Sequence, residues 1–287
     1  MSIGDELDAA AKVFADAGID TARTDAEWIG AAALGKKRGD LLAHLGDPVP
    51  ADAEERLKKM IARRARREPL AYIVGTVVFR GLELEVGAGC LVPRPETEVT
   101  AERAIARARR DGGARATVVD VGTGCGAIAL AMAAEVPDAR IFATEALGAA
   151  RGWALRNLAR TGLRCTLLPG SLMSPLHPAL GGGVDVVVSN PPYVSEEEWE
   201  TLEPEVHRFE PKEAVVGGET GLEIILELLE QVRMWLAPGG WLVIEIAESQ
   251  GERVSRLLGI LGYRNVTVTK DLAGRDRVVE ARWVGLH

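Results

Sequence analysis

One short segment, Asn190-Pro191-Pro192-Tyr193, carries side chains that are well suited to chemistry. It follows Val186-Val187-Val188-Ser189, whose β-branched residues predict a buried strand that the prolines must end. A residue before a proline is pushed into the extended region, so Asn190 should lie at the carboxyl end of that strand. Open α/β sheets bind their ligands at this edge. A plain strand-ending turn explains the same residues equally well.

A glycine-rich segment, Asp120-Val121-Gly122-Thr123-Gly124-Cys125-Gly126, follows an earlier predicted strand. Its glycines permit a tight turn and a close ligand, although a dinucleotide site is an equally simple interpretation of them alone. Glu145 ends the next strand 19 positions after Gly126, where a carboxylate can accept hydrogen bonds from ribose hydroxyls. Together these favour a nucleoside ligand, and S-adenosylmethionine over NAD, because the spacing is Gly-x-Gly-x-Gly and lacks the third glycine of the Gly-x-Gly-x-x-Gly pattern that approaches a pyrophosphate. Asp120 should order the loop or lie near the ligand's sulfonium and amino groups.

A second proline-rich segment, Val92-Pro93-Arg94-Pro95-Glu96-Thr97-Glu98, precedes a helix predicted from Val99 to Arg109. Proline and acidic residues suit the first turn of a helix, so the segment could simply begin that helix. A rigid loop of this kind could equally form a wall of an active site. The residues alone do not choose between these interpretations.

Hydrophobic patterning predicts the framework that positions these segments. Apolar residues recur at helical spacing up to residue 73, and a capping box of Thr24 and Glu27 should open the second helix. An alternating pattern around Gly81 then predicts a hairpin. From residue 115 short apolar strands alternate with helices, and Pro238-Gly239-Gly240 reads as a turn before a strand. This alternation indicates a mostly parallel sheet covered by helices on both faces.

The patterns divide the chain into three parts. We expect a helical domain at 1–73, a β-hairpin linker at 74–91 and an α/β domain at 92–287. The last long helix of the first part is unusually basic. A solvated helix face is the simpler interpretation, and a docking patch for an acidic or RNA-bound partner is the alternative. Its basic residues are Lys58, Lys59, Arg63, Arg64, Arg66 and Arg67.

The composition excludes several classes of protein. Cys90, Cys125 and Cys165 are too widely spaced for a disulfide framework or a zinc site, so we expect no metal and a reducing compartment. The start of the chain lacks signal-peptide features, and no apolar run is long enough to span a membrane. We therefore expect a cytoplasmic protein. A net charge of −8 argues against a nucleic-acid-binding protein, since such proteins are usually basic.

These motifs together resemble class I S-adenosylmethionine-dependent methyltransferases. The resemblance is closest to the HemK/PrmC family, which methylates the glutamine of the Gly-Gly-Gln motif in peptide-chain release factors. Asn-Pro-Pro-Tyr alone is shared with adenine methyltransferases, whereas the Pro-Arg-Pro-Glu-Thr-Glu loop and the helical N-terminal domain narrow the resemblance. It covers nearly the whole chain and includes three further segments: 67–75, 209–221 and 271–277.

The resemblance implies a fold and a substrate clamp. The fold is a Rossmann-like, mostly parallel seven-stranded sheet with a small helical substrate-docking domain. The amide clamp consists of the Asn190 side-chain oxygen and the Pro191 carbonyl. Each of them would accept a hydrogen bond from one of the two N–H groups of the glutamine side chain. Pro192 helps to fix the backbone, and Tyr193 supplies an aromatic wall.

The resemblance also implies the cofactor and partners. S-adenosylmethionine, with S-adenosylhomocysteine as product, would contact Asp120, Gly122, Thr123, Gly124, Cys125, Gly126, Glu145, Ser171, Leu172 and Asn190. Arg94 and Glu96 would belong to the substrate loop. The release factor is the expected partner of a monomeric enzyme, with no membrane and no sequence-specific nucleic acid.

Some residues depart from the family pattern. Ser171 beside Leu172 stands where the family carries an acidic residue at the adenine. Gly148 and Gly152 weaken the helix after the second strand, and Arg80 replaces a common aromatic residue. These changes leave three alternatives to release-factor methylation. They are a specialised enzyme for another peptide or small-molecule amide, a binding module without cofactor and, less favoured, an adenine methyltransferase.

Overall fold

The computed structural model describes residues 1–111 and 115–285 and divides the chain into two compact units. Met1–Thr76 and Leu202–Phe209 form the first, and Val77–Thr201 and Glu210–His287 form the second. The last two residues of the predicted α/β domain, Leu286 and His287, lie outside the described residues. The predicted domain boundaries stay predictions, but no sequence pattern anticipated that residues 202–209 pack with the helical unit.

The first unit contains five helices from the N-terminal part of the chain. A capping box of Ser2 and Asp5 begins the first helix. The predicted capping box of Thr24 and Glu27 is wrong, because the second helix begins at Ala22 and Glu27 instead binds arginine side chains within the unit. The helices are α1 (Ile3–Asp16), α2 (Ala22–Leu34), α3 (Arg38–Leu42), α4 (Ala51–Ala65) and α5 (Leu70–Val74). Their core includes the fully buried residues Leu7, Phe14, Ile29 and Leu41.

The second unit begins with the predicted hairpin and continues as an α/β fold. The hairpin strands are β1 (Thr76–Phe79), whose first residue belongs to the first unit, and β2 (Leu82–Glu85). The later strands are β3 (Thr117–Val121), β4 (Arg140–Glu145), β5 (Thr166–Pro169), β6 (Val184–Ser189), β7 (Val194–Ser195), β8 (Val216–Gly218), β9 (Leu236–Glu245), β10 (Arg264–Lys270) and β11 (Asp276–Arg282). The later helices are α6 (Thr97–Asp111), α7 (Ala127–Glu135), α8 (Gly148–Thr161), α9 (Glu196–Trp199), α10 (Pro204–Phe209), α11 (Glu223–Val232) and α12 (Gly251–Ile260). Of these helices, only α10 lies in the first unit.

Seven strands form one sheet in the order β10-β11-β9-β6-β3-β4-β5. The pairs β3–β4, β4–β5, β3–β6 and β6–β9 are parallel, and β11 runs antiparallel to both of its neighbours, β10 and β9. The predicted fold class is therefore confirmed. Successive strands extend from β3 first to one side and then to the other, which places the ligand-binding edge of the sheet beside β3.

One predicted turn is wrong. The segment Pro238-Gly239-Gly240 lies within β9, and the β6–β9 register shifts between Val184 and Val186. Gly239 has a φ of +94°, which glycine adopts without strain, and its N–H still donates to the Trp283 carbonyl at 2.7 Å. The glycines therefore create a bulge inside a continuing strand.

The basic helix α4, which ends at Ala65 and so excludes Arg66 and Arg67, and the residues after it form ion pairs within the first unit. Arg64 is buried and donates to Asp25 and to Glu205, both at 2.7 Å. Arg67 donates to Glu203 and Glu205 at 2.7 Å. These two arginines therefore hold α10 and the residue before it against the helical unit. Their contacts are internal, which argues against the docking-patch interpretation for Arg64 and Arg67.

Candidate functional site

A cavity of about 410 Å³ lies at the carboxyl ends of β3, β4 and β6. These parallel strands are in register, with Val121 paired to both Thr144 and Ser189. The residues that follow them therefore meet at one edge of the sheet. Ten of the predicted site residues line the cavity: Gly122, Thr123, Gly124, Cys125, Glu145, Ser171, Leu172, Asn190, Pro191 and Pro192.

The glycine loop forms an open cradle along the cavity. Gly122, Gly124 and Gly126 have φ values of +71°, +61° and +92°, which other residues rarely adopt. A Cβ added to Gly122 would meet no atom within 4 Å, and one on Gly124 only the sulfur of Cys90 at 3.8 Å. A side chain at either position would therefore occupy space that the fold leaves open. Gly126 lies outside the cavity wall, and its added Cβ would instead approach a leucine side chain of α7 at 3.2 Å.

Glu145 is a buried carboxylate in the cavity wall. It accepts backbone hydrogen bonds from Gly124 and Leu147, each at 2.8 Å, one on each oxygen. Burial raises the pKa of the Glu145 carboxyl, and these N–H groups act in the opposite direction. Each carboxylate oxygen has a second lone-pair site that can accept from a ligand hydroxyl. Glu145 thus orders the glycine loop and keeps acceptor capacity at the cavity.

Asp120 lies beneath the loop and does not line the cavity. One of its oxygens accepts the Thr123 hydroxyl at 2.5 Å and the Ala129 N–H at 2.9 Å. The other is buried without a hydrogen-bond partner among the described residues. Burial raises the pKa of Asp120 to about 7. Of the two predicted roles, these contacts favour ordering of the loop.

Asn190 occupies the cavity edge at the end of β6. It is half-buried, and its amide nitrogen donates to the Thr97 hydroxyl at 3.2 Å. This bond engages the nitrogen and leaves the side-chain oxygen as the available acceptor. Pro191 and Pro192 follow it in the cavity wall. The strand end and the two prolines therefore present an acceptor from a restricted backbone.

Tyr193 does not line the cavity. Its ring packs against the sheet core, and its hydroxyl donates to Glu245 at 3.2 Å. The Tyr193 carbonyl accepts from the Gln250 side chain at 2.9 Å. Burial raises the pKa of the Tyr193 hydroxyl. The structure thus gives this residue an anchoring position, and an aromatic wall against a substrate stays a prediction.

The proline-rich loop before α6 serves both as a helix start and as a cavity wall. Pro93 and Thr97 line the cavity, and α6 begins at Thr97. The predicted substrate-loop residues do not line it. Arg94 donates to the buried Glu210 at 2.7 Å, and Glu96 accepts from Arg275 at 3.2 Å. Both pairs brace the loop against other segments of the second unit.

Two family models match the chain, one in its N-terminal helical part and one beyond it. The PrmC N-terminal domain matches residues 5–75, and the methyltransferase small domain matches residues 104–207. The release factor glutamine methyltransferase of Streptomyces coelicolor is 42% identical over 279 residues, 96% of each chain. That of Geobacter sulfurreducens is 38% identical over 268 residues, 93% of this chain and 92% of the relative. The chain belongs to the release factor glutamine methyltransferase family.

A solved structure with low sequence identity to this chain has a similar fold. The crystal structure of a methyltransferase from Pyrococcus furiosus is 23% identical and has a TM-score of 0.55, over 78% of this chain and 99% of that one. This likeness shows a shared fold. The family models and the curated relatives confirm the resemblance to the HemK/PrmC family.

Several cavity residues were not among the predicted site residues. Thr97 lies in the quoted proline-rich loop, and its hydroxyl could have suggested a polar contact. Glu213 and Ala214 also line the cavity and belong to the 209–221 segment of the resemblance. Glu245 lies outside the cavity wall but accepts a hydrogen bond from Tyr193, and it carried no sequence signal beyond its place at the end of an apolar strand.

The departures from the family pattern have simple structural settings. Gly148 and Gly152 are accommodated in α8, and a Cβ added to Gly152 would meet nothing within 4 Å. Arg80 lies in the hairpin turn and binds Glu135 at 2.5 Å.

Within residues 1–111 and 115–285, no group of metal-ligating side chains could hold an ion. In the same ranges, no helix has the length and apolar character needed to cross a membrane.

Proposed function

We propose that the chain transfers a methyl group from S-adenosylmethionine to the side-chain amide nitrogen of the glutamine in the Gly-Gly-Gln motif of release factors. The observation that carries this function is the placement of Asn190 at the edge of a cavity lined by the glycine cradle. Membership of the release factor glutamine methyltransferase family supports the same substrate. The amine of adenine would suit the same acceptors, and membership of this family favours the glutamine amide over it.

The cavity suits S-adenosylmethionine in size and in chemistry. Its volume of about 410 Å³ lies within the range of roughly 300–1,000 Å³ that is usual for ligand sites. Gly122 and Gly124 leave the backbone accessible, and Glu145 can accept hydrogen bonds from ribose hydroxyls. Ser171 and Leu172 form the part of the wall assigned to the adenine. When bound, the cofactor supplies a methyl group attached to a positively charged sulfur.

The chain's task is to hold a weak nucleophile in place. The lone pair of an amide nitrogen is delocalised, so the nitrogen reacts only when it is well oriented. In the proposed amide clamp, the Asn190 side-chain oxygen and the Pro191 carbonyl each accept a hydrogen bond from one N–H group of this nitrogen. The proline rings restrict the backbone, so the carbonyl is already oriented before the substrate binds. Orientation of this kind can contribute about 7–11 kcal/mol to lowering the barrier. No strong base is required, because the nitrogen loses its proton only after it has become cationic.

The proposed partner is a protein, and the proposed location is the cytoplasm. The net charge of −8 supports a protein substrate over sequence-specific binding of nucleic acid. Release factors act in translation, which supports a cytoplasmic location. We also infer that the enzyme acts as a monomer.

The experiment mixes the enzyme with a release factor and S-adenosylmethionine labelled on its methyl group. Label should enter the Gly-Gly-Gln glutamine and should be absent from a release factor that carries Gly-Gly-Ala. Asn190→Ala should lower kcat by about 100-fold, the usual size of the loss when one preorganised hydrogen-bonding group is removed. Its affinity for S-adenosylmethionine, measured by calorimetry, should stay close to the wild-type value.

A matched control is Asn265→Gly, which alters an exposed asparagine of β10. This variant should methylate at the wild-type rate. Failure of the wild-type enzyme to label the glutamine at any substrate concentration would contradict the assigned substrate. Wild-type turnover by Asn190→Ala would instead show that the amide clamp is wrong while leaving the substrate assignment intact.

A further inference from the structure

The charged side chains that line the cavity are all acidic. Among the described residues of its wall, Glu145 and Glu213 carry charge, and none is a lysine, arginine or histidine. Glu145 already accepts one backbone hydrogen bond on each oxygen. Glu213 is exposed, and its carboxylate forms no ion pair or hydrogen bond in the described part of the chain. The neighbouring cation, Lys212, instead binds Glu196 at 2.5 Å. Glu213 therefore offers the cavity an unpaired negative charge.

The segment that carries Glu213 is fixed beside the proposed amide clamp. The Val194 N–H donates to the Val215 carbonyl at 3.0 Å, and β8 then pairs with β7. Strand β7 begins two residues after Pro192. Gly217 packs so closely against this segment that an added Cβ would lie 2.4 Å from the Pro192 carbonyl oxygen. The residues that follow Glu213 are thus bonded to the chain that continues the clamp.

The order of the strands separates two sides of the cavity. Strand β6, which leads into Asn190, lies on one side of β3, whereas β4 and β5, which lead to Glu145 and Ser171, lie on the other. The contacts of its segment put Glu213 on the Asn190 side. Methyl transfer to a nitrogen held by Asn190 requires reacting atoms about 3–3.5 Å apart. The sulfur of the methyl donor is therefore expected on the same side as Glu213.

The methyl donor and its product differ by one charge at this sulfur. S-adenosylmethionine carries a positively charged sulfonium there, whereas S-adenosylhomocysteine carries a neutral thioether. The ammonium and carboxylate groups of the amino-acid end are the same in both ligands. A carboxylate near the sulfur therefore attracts the donor more than the product, and it does so more strongly beside protein than in bulk water.

We propose that Glu213 is a specificity-determining residue that favours the cationic methyl donor over its neutral product. It acts through charge, since a sulfonium has no hydrogen to donate to a carboxylate. The placement of the sulfur beside Glu213 rests on the proposed function. The consequence for the enzyme is easier replacement of S-adenosylhomocysteine by fresh S-adenosylmethionine after each transfer.

The test is Glu213→Gln, which keeps the size of the side chain and removes its charge. Calorimetry without release factor measures the affinities for S-adenosylmethionine and S-adenosylhomocysteine. We expect a loss of about threefold to fivefold for the donor, the size of one solvent-screened charge interaction, and less than about twofold for the product. Glu213→Asp should keep most of the wild-type preference. Because Glu213 is exposed, these substitutions should leave the fold intact.

A matched control is Glu230→Gln, which removes the same charge from an exposed position of α11 outside the cavity wall. Neither affinity should change in this variant. Added salt screens interactions between exposed charges. It should therefore reduce the preference for the donor more in the wild type than in Glu213→Gln.

Two results would overturn this assignment of Glu213. Equal losses for the two ligands would show that it acts on the ammonium group that they share. Unchanged affinities for both would show that its charge does not reach the sulfur, and a raised KM for release factor in that case would make it a substrate contact. Failure of the wild-type enzyme to label any release factor would refute the proposed function instead. The preference for the donor could still be measured, because the calorimetry needs no substrate.

Discussion

Replacement of Arg64 by methionine should destabilise the helical unit strongly. The Arg64 side chain is only 6% exposed and lies between Asp25, which is 5% exposed, and Glu205, which is 18% exposed. It also donates to the Glu68 carbonyl at 3.0 Å. Methionine fills similar space but carries no charge. The substitution therefore leaves Asp25 buried without its cation, whereas Glu205 keeps a second arginine, Arg67.

The expected loss follows from this burial. Removing one partner of a buried ion pair typically costs about 3–5 kcal/mol, because the remaining charge is uncompensated. An exposed pair in the same helix provides the comparison. Lys59 and Glu55 are 71% and 74% exposed, so Lys59→Met should change the free energy of unfolding by less than about 1 kcal/mol. Asp25→Asn added to Arg64→Met should recover part of the loss, since it removes the stranded charge.

The assay is urea unfolding followed by circular dichroism for the wild type and the three variants. A loss below about 1 kcal/mol in Arg64→Met, equal to that of Lys59→Met, would refute the reasoning. The measurement also separates the structural interpretation of α4 from the docking-patch interpretation. A docking arginine would leave stability unchanged and raise the KM for intact release factor.

Three further predictions concern the second unit. Gly122→Val should weaken S-adenosylmethionine binding at least tenfold by calorimetry, because the new side chain enters the cavity from a backbone with a φ of +71°. Gly152→Ala, in open space on α8, should leave that affinity unchanged and raise the free energy of unfolding by about 1 kcal/mol. The raised pKa of Asp120, about 7 against an ordinary value of 3.8, means that the folded protein binds this proton more tightly. Its stabilising contribution is complete below pH 3.8 and is lost as pH rises through about 7. The difference in unfolding free energy between wild type and Asp120→Asn should therefore shift in favour of Asp120→Asn between pH 5 and 8, and a constant difference would contradict this.

The sequence predicted those elements that depend on local pattern. Valine-rich β3 and β6 ended where Gly122 and Asn190 were expected, because a parallel sheet needs continuous apolar runs that glycine and proline then stop. The cavity at their ends also followed, since the ends of parallel neighbours meet. The prediction of a turn at Pro238 was wrong because it also rested on local pattern alone. A glycine pair satisfies a bulge as well as a turn, and only the neighbouring strand decides between them.

The contacts that escaped prediction join residues far apart in the chain. Arg64 and Glu205 are 141 positions apart, and Thr97 and Asn190 are 93 apart. Charge and hydroxyl content do not specify a partner at such separations, because many arginines and acidic residues compete for the same assignments. For Arg94 and Glu96, the family resemblance implied a place in the substrate loop, yet each side chain pairs with an opposite charge within its own unit. Pairing of this kind appears only when the fold is known.

The number of donors and acceptors at Asn190 bears on which nucleophile the site can select. The proposed amide clamp offers two acceptors, so its ideal substrate is a planar nitrogen with two N–H bonds. A hydroxyl has one donor and would leave one acceptor unpaired, which costs about 1–3 kcal/mol when it is buried. An amide that turned its own NH₂ group to the cavity would lose this discrimination.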